Sequence, residues 1–541
     1  MIFSIMGALT LKSFPFILRS WNVKSYDSID PTDAFGQNTR VYVNKNQIVK
    51  IEPQFNDKSL NVWLTDKGRQ FFDAIFDKSI HEIAQLENVS VKTTKQWESL
   101  FYTIRKTFYV FNICNLKYAS RFFFLIVFEN VSLEVLNFLS LICQMNSFIK
   151  VRRVEKISMD TDLEQNFQIN SATSLSKLSS SSLCVLIGTN TRYEGSYLNL
   201  KLRQRYLKGD FKLLTIGSLL DLTFPISFLG SDLLVLKNIS EGNHFFCKDL
   251  VSSKNPMFIT NSETFKHSNM KNFLNTLKVL KYSNTLNKVW YGFNVLNSSL
   301  PETGFYAFSR FSSLTLKDLL SFSSLYSLNV NLNSVASINT ITKSRLLRYK
   351  NSNNFLNEHL FVNQSFESSI NNSFQQISFK NYLYLPKSTF FETQETFINS
   401  EGFRKLGSKL IFRKNQKSDW QLLRKFAHNL NIFGNVSCIK DDQILFYNSK
   451  SLFDFKNFVN FHFQATRNLT TLNDYVVDLN QKFVIYKKFD RFKNVEFKLN
   501  SAKLKYWLDD FYTGGKDTFC QNSLTLTRCS ANYRLQVTNF F

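Results

Sequence analysis

The stretch LCVLIGTNTRYEGSYLNLKLRQRYLKGDFKLLTIG (183–217) decides the fold, because it joins two apolar runs through a segment of helix length. LCVLIG (183–188) and KLLTIG (212–217) have the length and residue types of buried strands. Between them, a helix is predicted over 193–209. Its apolar face, which fits helical spacing only loosely, consists of Tyr197, Leu198, Leu202 and Leu207.

The alternation of strands and helices continues after residue 217. DLLVLK (232–237) and PMFIT (256–260) are predicted strands, and KNFLNTLKVLK (271–281) is a predicted helix. The apolar positions of that helix, at three- and four-residue spacing, are Phe273, Leu274, Leu277 and Leu280. The predicted fold class is α/β, with mostly parallel sheets covered by helices on both faces.

The first segment of the chain is predicted to form β structure. TRVYVNKNQIVKIEP (39–53) alternates apolar and polar residues around NKNQ, which predicts a hairpin.

The densest apolar run, RFFFLIVF (121–128), has the length of a strand or a buried helix, so we predict no membrane span. The region 301–380 is rich in Ser and Asn and gives poor signals.

The composition indicates an A/T-rich genome, such as that of an organelle. The 541 residues include 57 Phe and 21 Tyr but only 16 Gly and 7 Pro, and A/T-rich codons favour the first pair. The opening MIFSIMGALTLKSFPF (1–16) lacks the features of a signal peptide, because Lys12 interrupts it and no positive n-region precedes it.

The formal charge of +24 has two interpretations. Lys and Arg are the residues that bind nucleic-acid phosphates. Alternatively, codon bias inflates Lys, and the charge lies on a solvated surface or meets acidic subunits. The densest basic stretches, KSRLLRYK (343–350) and RKLGSKLIFRKNQK (404–417), lack the interleaved aromatic residues of an RNA-binding strand, which favours the second interpretation.

Motifs that carry chemistry are weak in this chain. Seven scattered cysteines, the closest pair nine residues apart, indicate reduced thiols rather than disulfides or a metal site. TGGKDT (513–518) imitates a phosphate-binding loop, but Asp517 stands where a Mg²⁺-binding Ser or Thr belongs, so we predict a surface turn. Composition and motifs alone therefore predict a multi-domain α/β protein without a detectable active site.

Ordered motifs along the chain carry a family resemblance. They resemble the large iron–sulfur subunit of mitochondrial respiratory complex I, the 75 kDa-type subunit, whose fold is similar to that of molybdopterin oxidoreductases. The matching stretches are GALTLKSFPFILRSW (7–21), DSIDPTDAFGQNTRVYV (27–43), VWLTDKGRQFFD (62–73), LIGTNTRYEGSYLNLKLRQRYL (186–207), IGSLLDLTFPISFLG (216–230), LYLPKSTFFETQETFINSEGFRK (383–405) and DDFYTGGKDTFCQNSLTLTRCS (509–530).

The resemblance implies four regions and a molybdopterin oxidoreductase-like, multi-domain fold with Rossmann-like α/β domains. Residues 1–20 are expected at the junction with a separately encoded iron–sulfur half. Residues 21–90 would form a small β-rich domain, similar to the 4Fe-4S Mo/W bis-MGD-type domain without its cysteines. The α/β core would span 91–440, and a C-terminal segment, 441–541, would pack on it.

The family's cluster-binding cysteines are replaced here. By resemblance, the last cysteine ligand of a [4Fe–4S] cluster corresponds to Ser4, whose hydroxyl is a poor substitute for a thiolate. The four cysteines that begin the related molybdopterin domain correspond to Asp30, Asp33, Gln37 and Thr65. We therefore expect no cofactor and no metal in this chain, and no catalytic residue.

The resemblance places a vestigial pterin region at Gly188, Asn190 and Arg192, where the family's N-P-R reads N-T-R. Gly188 ends a strand at the position where open α/β sheets place ligands, which alone is weak evidence. Glycine is scarce, so close approach of the backbone to a pyrophosphate is hard to arrange, and we expect a scaffold without molybdopterin. Glu401 and Arg404 are a predicted internal ion pair.

The resemblance implies a structural half-subunit in the NADH-oxidising module of complex I. We expect it on the matrix side of the mitochondrial inner membrane, mitochondrially encoded, with no nucleic-acid partner. The chain starts where a long gene looks cut, so a separate partner chain is expected to hold 4Fe-4S and 2Fe-2S clusters. An adjacent subunit would bind FMN and NADH. A diverged molybdopterin-dependent oxidoreductase and a basic organellar RNA-binding or ribosomal protein are the alternatives.

Overall fold

Four sheets organise the part of the chain that the structure, a computed structural model, describes. The described residues are 18–54, 63–76, 85–86, 89–90, 95–98, 102, 123–128, 130–145, 149–154, 178–217, 220–262, 264, 273, 275–277, 280, 292–297, 299–307, 311–312, 314, 318, 322–330, 358–366, 377–386, 388–400, 403–412, 418–429 and 523–529. The chain divides into two units, residues 1–432 with 500–541 and residues 433–499, and the second unit lies wholly outside these ranges.

The elements with defined bounds follow in chain order. The strands are β1 (Lys24–Ile29), β2 (Asn38–Asn44), β3 (Gln47–Pro53), β4 (Gln85–Leu86), β5 (Val89–Ser90), β6 (Phe123–Phe128), β7 (Ile149–Arg153), β8 (Leu183–Ile187), β9 (Lys212–Ile216), β10 (Ser227–Gly230), β11 (Met257–Asn261), β12 (Phe293–Leu296), β13 (Phe322–Leu328), β14 (Glu358–Phe366), β15 (Ile377–Pro386), β16 (Glu395–Ile398) and β17 (Arg404–Gly407). The helices are α1 (Asp66–Gln70), α2 (Leu133–Met145), α3 (Thr191–Glu194), α4 (Ser196–Leu207), α5 (Leu233–Glu241), α6 (Phe246–Ser252), α7 (Leu300–Ala307) and α8 (Asp419–Asn429).

The five-stranded sheet confirms the predicted α/β class. All its strands are parallel, in the order β10-β9-β8-β11-β12. Numbered from its first strand along the chain, this is the 3-2-1-4-5 order of doubly wound folds. The central strands β8 and β11 are buried along their whole length, as the predicted strands 183–188 and 256–260 require, because helices and loops cover both faces.

The prediction of a strand over DLLVLK (232–237) is wrong, because this segment begins helix α5. Leu233, Leu236 and Ile239, at three-residue spacing, are its buried positions, so the apolar run follows the period of a helix. Gly242 ends the helix with a left-handed φ of 83°, and the Asn243 N–H donates to the Asn238 carbonyl at 2.9 Å. The strand that follows β9 in the chain and pairs with it is β10, which precedes this segment.

The helix predicted over 193–209 exists as two helices, α3 and α4, which meet at Gly195. A Cβ atom on Gly195 would lie 3.1 Å from a Leu296 side-chain atom, so this junction approaches β12 closely. Three of the four predicted face residues are buried, but Leu207 is 73% exposed, and its assignment to the buried face is wrong. In the second predicted helix, the described positions 273, 275–277 and 280 are helical, and Phe273, Leu277 and Leu280 are buried, while Leu274 lies outside the described residues.

The predicted N-terminal hairpin is confirmed. Strands β1, β2 and β3 form an antiparallel sheet in this order, and Lys45 and Asn46 turn the β2–β3 hairpin with φ values of 44° and 67°. Positive φ at both central residues is the signature of the type I′ turn, which suits the twist of paired strands.

The seven-stranded sheet is mixed, with the order β5-β4-β15-β14-β13-β6-β7. The apolar run 121–128 contributes its strand β6, which pairs in parallel with β7 and β13. In the region 301–380, which gave poor signals, the described residues include helix α7 and three long strands. Every helix within the described ranges is too short or too polar to cross a bilayer.

The loop between β1 and β2 (residues 30–37, the cluster loop hereafter) contacts three of these substructures. The Phe35 ring is buried in the core of the five-stranded sheet, where it meets the Tyr197 ring edge-on at 5.4 Å. The Asn399 amide donates to the Phe35 carbonyl at 3.1 Å, and the Ser400 N–H donates to the Ala34 carbonyl at 2.8 Å. The cluster loop therefore joins the N-terminal sheet to the parallel sheet and to the β16–β17 hairpin.

We expect Phe35→Ala to lower the free energy of unfolding by about 3–5 kcal/mol, because it removes a buried ring and leaves a cavity at this junction. Phe245→Ala is the matched control, since that ring is 73% exposed and its removal should change stability by less than about 0.5 kcal/mol. Urea denaturation followed by circular dichroism measures both. Equal losses for the two variants would contradict the role given to the cluster loop.

Candidate functional site

The four positions that the resemblance assigns to cluster ligands lie on two neighbouring segments. Asp30 and Gln37 stand at the two ends of the cluster loop, where the Asp30 N–H donates to the Gln37 carbonyl at 2.9 Å. The Asp30 side chain is fully buried, and its Oδ1 accepts from the Thr32 N–H at 2.9 Å and the Thr32 hydroxyl at 2.7 Å. The Asp30 backbone therefore joins the two ends of the loop, and its carboxylate accepts hydrogen bonds inside the loop.

Helix α1 brings the fourth position to the same place. Thr65 is its N-cap, and the Thr65 hydroxyl oxygen accepts from the Gly68 N–H at 2.8 Å. A Cβ atom on Gly68 would collide with the Asp30 Oδ2, so the helix rests directly on that carboxylate. Only glycine permits this approach.

Asp33 is a buried carboxyl group of altered acidity. Its Oδ1 accepts from the Phe35 N–H at 3.3 Å, whereas its buried Oδ2 has no hydrogen-bond partner among the described residues. Burial raises the pKa of Asp33 to about 7, and the neighbouring Asp30 charge contributes to the rise, against the opposing effects of the Phe35 N–H, Lys67 and the Ala34 N–H. Asp33 therefore titrates near neutral pH.

An iron–sulfur cluster does not fit these residues. Such clusters are held by thiolates, and the first cysteine in the sequence is Cys114, so residues 1–113 offer none. Within the described part of the chain, no group of three or more His, Cys, Asp or Glu side chains could hold a metal ion. The Asp30 Oδ1, the Asp33 Oδ1 and the Thr65 hydroxyl oxygen instead accept hydrogen bonds from N–H or hydroxyl groups of the chain.

The second predicted region lies at the switch point of the parallel sheet, where the chain leaves β8 for one side and β11 for the other. Gly188 follows β8 with a φ of 59°, and its N–H donates to the Ile216 carbonyl at 2.8 Å. Asn190 caps helix α3 by accepting the Arg192 N–H at 3.1 Å, and the Arg192 guanidinium donates to the Asp221 carboxylate at 2.6 Å. These three residues lie together at the end of β8, as predicted.

A carboxylate of the chain itself occupies this strand end. The Glu194 Oε2 accepts from the Thr189 hydroxyl at 2.9 Å and from the Asn190 N–H at 3.0 Å. Donors of this kind would bind a pyrophosphate in a nucleotide-binding relative. Because Glu194 uses them, the β8 end does not fit the pyrophosphate of a molybdopterin cofactor.

The β11 side of the switch point is closed in a similar way. The Ser262 hydroxyl donates to the buried Glu302 carboxylate at 3.1 Å, and the Asn297 amide donates to the Thr303 hydroxyl at 2.8 Å. On each side of the switch point, polar groups therefore bond to partners on the same side, which stabilises this part of the structure.

Sequence reasoning missed Glu194, Glu302 and the contact of Gly68 with Asp30. A carboxylate four residues after Asn190 was a usable signal, because that spacing lets a side chain reach back to the start of the same turn. Ser4, Glu401 and the turn predicted over 513–518 lie outside the described residues, so the junction and the Glu401–Arg404 pair remain predictions.

Two family profiles match the chain. The molybdopterin oxidoreductase profile matches residues 134–429, which include the switch point. The profile "NADH-ubiquinone oxidoreductase NDSU1/NuoG-like, 4Fe-4S domain" matches residues 23–73, which include the cluster loop and α1. The second match partly disagrees with the expectation of a cofactor-free chain, although the matched range contains no cysteine.

Curated relatives match much of the chain. It is 30% identical over 445 residues to the NADH-ubiquinone oxidoreductase 75 kDa subunit of Reclinomonas americana, covering 79% of this chain and 60% of that protein. It is 27% identical to the mitochondrial NADH-ubiquinone oxidoreductase 78 kDa subunit of Neurospora crassa, covering 55% of this chain and 40% of that protein. It is also 27% identical to a NADH-quinone oxidoreductase subunit of Rickettsia prowazekii, covering 58% and 46%. The chain therefore spans 60% or less of the length of these relatives.

We expect the contribution of Asp33 to the free energy of unfolding to fall as pH rises from about 4 to about 7, through the titration of its carboxyl group. The folded state holds the proton up to the raised pKa, whereas the unfolded state releases it near the ordinary value of 3.8, so rising pH favours unfolding within this window. Asp33→Asn should flatten this slope and be more stable than the natural chain at pH 8. Urea denaturation across the window tests this, and parallel slopes for the two proteins would contradict it.

We expect Glu194→Ala to lower the free energy of unfolding by about 2 kcal/mol, because it leaves two donors at the end of β8 without their acceptor. Glu241→Ala is the matched control, since this exposed residue forms an ion pair with Lys237 at 3.6 Å and its removal should cost less than about 0.5 kcal/mol. Thermal unfolding compares the variants. A loss for Glu194→Ala no larger than for the control would show that the strand end does not depend on this carboxylate.

Proposed function

We propose that this chain, a member of the molybdopterin oxidoreductase family, serves as a structural, cofactor-free part of NADH:ubiquinone oxidoreductase, respiratory complex I. Its relatives are the 75 kDa and 78 kDa subunits of NADH-ubiquinone oxidoreductase and a bacterial NADH-quinone oxidoreductase subunit. The observation that carries the proposal is the 30% identity over 445 residues to the 75 kDa subunit. In the complex, the chain would scaffold the NADH-oxidising module in the matrix arm.

The proposal assigns the iron–sulfur clusters to another polypeptide. The part of the relatives that this chain does not match would be a separately encoded iron–sulfur half, which holds 4Fe-4S and 2Fe-2S clusters and supplies the cysteine absent at Ser4. The flavin- and NADH-binding subunit would be a further partner. The clusters and flavin of these partners would carry the electrons toward ubiquinone.

The residues of this chain would provide rigidity. Electron transfer depends on fixed distances between centres, so a cluster-bearing partner needs a surface that does not deform. The cluster loop, closed by Asp30 and packed through Phe35, supports this role, and so do the hydrogen bonds that Glu194 and Glu302 accept beside β8 and β11. The four regions with boundaries at residues 20, 90 and 440 belong to the same proposal.

The proposed location is the matrix side of the mitochondrial inner membrane, with the gene in the mitochondrial genome. The 75 kDa and 78 kDa relatives and the A/T-rich composition support it. The formal charge of +24 would then face acidic subunits, and no nucleic-acid partner is needed to explain it.

The second candidate is a molybdopterin-dependent oxidoreductase, which the profile match over residues 134–429 favours. The geometry opposes it, because Glu194 uses the donors at the end of β8.

The deciding experiment is a native-gel separation of solubilised mitochondrial membranes, stained for NADH oxidation, with mass spectrometry of the active band. We expect this chain in that band together with a separate chain that contains iron–sulfur cysteine motifs. Iron and molybdenum analysis of the isolated chain should give neither metal in stoichiometric amount. Stoichiometric molybdenum would favour the second candidate, and migration with ribosomal proteins would overturn the complex I proposal.

A further inference from the structure

The first four of the six residues of strand β1 are exposed on both faces. Residues 24–27 are all exposed, whereas the paired residues of β2 alternate between buried and half-buried positions. Among the described strands β1 pairs only with β2, so it forms the edge of its sheet. An edge strand of this kind offers its outer backbone groups to another polypeptide.

The direction of these backbone groups follows from one hydrogen bond. The Asp30 N–H donates to the Gln37 carbonyl at 2.9 Å, so the backbone groups of Asp30 face β2 and, by alternation, those of Asp27 face the outer edge. The Ser408 hydroxyl donates to the Asp27 carbonyl on that edge at 2.7 Å. Backbone groups alternate along a strand, and Ser25 therefore points its N–H and carbonyl to the same outer edge. Ser408 covers this edge at Asp27, and no hydrogen bond from another described residue reaches the backbone of the exposed Ser25 at the outer edge.

Aromatic rings and positive charge flank the open edge. Trp21 is 78% exposed and Tyr26 is 43% exposed, and these residue types are enriched among the few residues that dominate the binding energy of protein interfaces. Arg19 and Lys24 are exposed cations, while the nearby Asp27 already contacts Arg40 at 3.4 Å. The edge therefore suits an extended segment that carries acidic side chains.

We propose that residues 24–26, with Trp21, dock an extended acidic segment of the separate iron–sulfur chain, which adds to the N-terminal sheet as a strand beside β1. This inference rests on the proposed function. The profile of the NuoG-like 4Fe-4S domain matches residues 23–73, so β1 and its outer edge belong to the part of the chain that is similar to an iron–sulfur domain, which favours an iron–sulfur chain as the occupant. The strand-addition mode follows from the open edge.

The first test is zero-length carbodiimide cross-linking of the native complex, followed by peptide mass spectrometry. The reagent joins an amine only to a carboxylate in direct contact, so we expect Lys24 to link to an Asp or Glu of a chain with iron–sulfur cysteine motifs. Lys208, an exposed residue at the end of α4, is the control and should not link to that chain. Links from Lys24 to residues 1–17, to a second copy or to another subunit would overturn the proposal, as would the absence of any Lys24 link.

A pair of substitutions at Ser25 tests the strand geometry in the full chain. Proline lacks the N–H that an added strand needs, but β1 tolerates it because this N–H does not bond to β2. Ser25→Pro should therefore reduce the amount of iron–sulfur chain that copurifies by at least about tenfold, whereas Ser25→Ala should leave it unchanged. Equal copurification with both variants, at matched thermal stability, would overturn the proposal.

The native-gel experiment separates the two possible failures. If this chain lies outside the NADH-oxidising band, the proposed function fails. If it lies in the band but Lys24 and Ser25 behave otherwise than expected, the docking edge alone is wrong.

Discussion

The packing of the buried cluster loop against α1 is the constraint on which the rest of the described structure depends. Gly68 rests on the Asp30 carboxylate, and the same loop carries Phe35 into the core of the parallel sheet. Because the loop is tied at both ends by β1 and β2, the N-terminal sheet cannot move without moving that ring. One loop thus sets the position of the N-terminal sheet relative to the α/β core.

In both predicted site regions, a carboxylate of the chain accepts the hydrogen bonds of nearby polar groups. Asp30 accepts hydrogen bonds from Thr32, and Glu194 accepts them from Thr189 and Asn190. Buried donors need acceptors whether or not a ligand is present. Asp33, the other carboxyl group of the cluster loop, holds a proton up to near neutral pH, because burial and the Asp30 charge raise its pKa to about 7.

Much of the fold could be predicted from the sequence, namely the elements in which the spacing of apolar residues matches the residues that are buried. The runs at β8, β9 and β11 are largely apolar and short, and the hairpin turn at Lys45 and Asn46 lies between alternating strands. DLLVLK (232–237) has the composition of a strand, and six residues do not show whether an apolar run has a period of two or of 3.6. Leu207 cannot be placed from spacing alone, because the last turn of a helix can extend beyond the sheet that the rest of the helix covers.

The site could be predicted only as a set of positions. Asp30 and Gln37 are joined by a backbone hydrogen bond, but the contact of Gly68 with Asp30 depends on tertiary packing that no local pattern encodes. The hydrogen bonds of Asp30 also limit which side chains this position can accept. Cysteine at position 30 would leave the Thr32 N–H and hydroxyl without their acceptor inside a buried loop, so this substitution would begin with a loss of stability. A thiolate could therefore replace Asp30 without that loss only if another group supplied the acceptor that Thr32 needs.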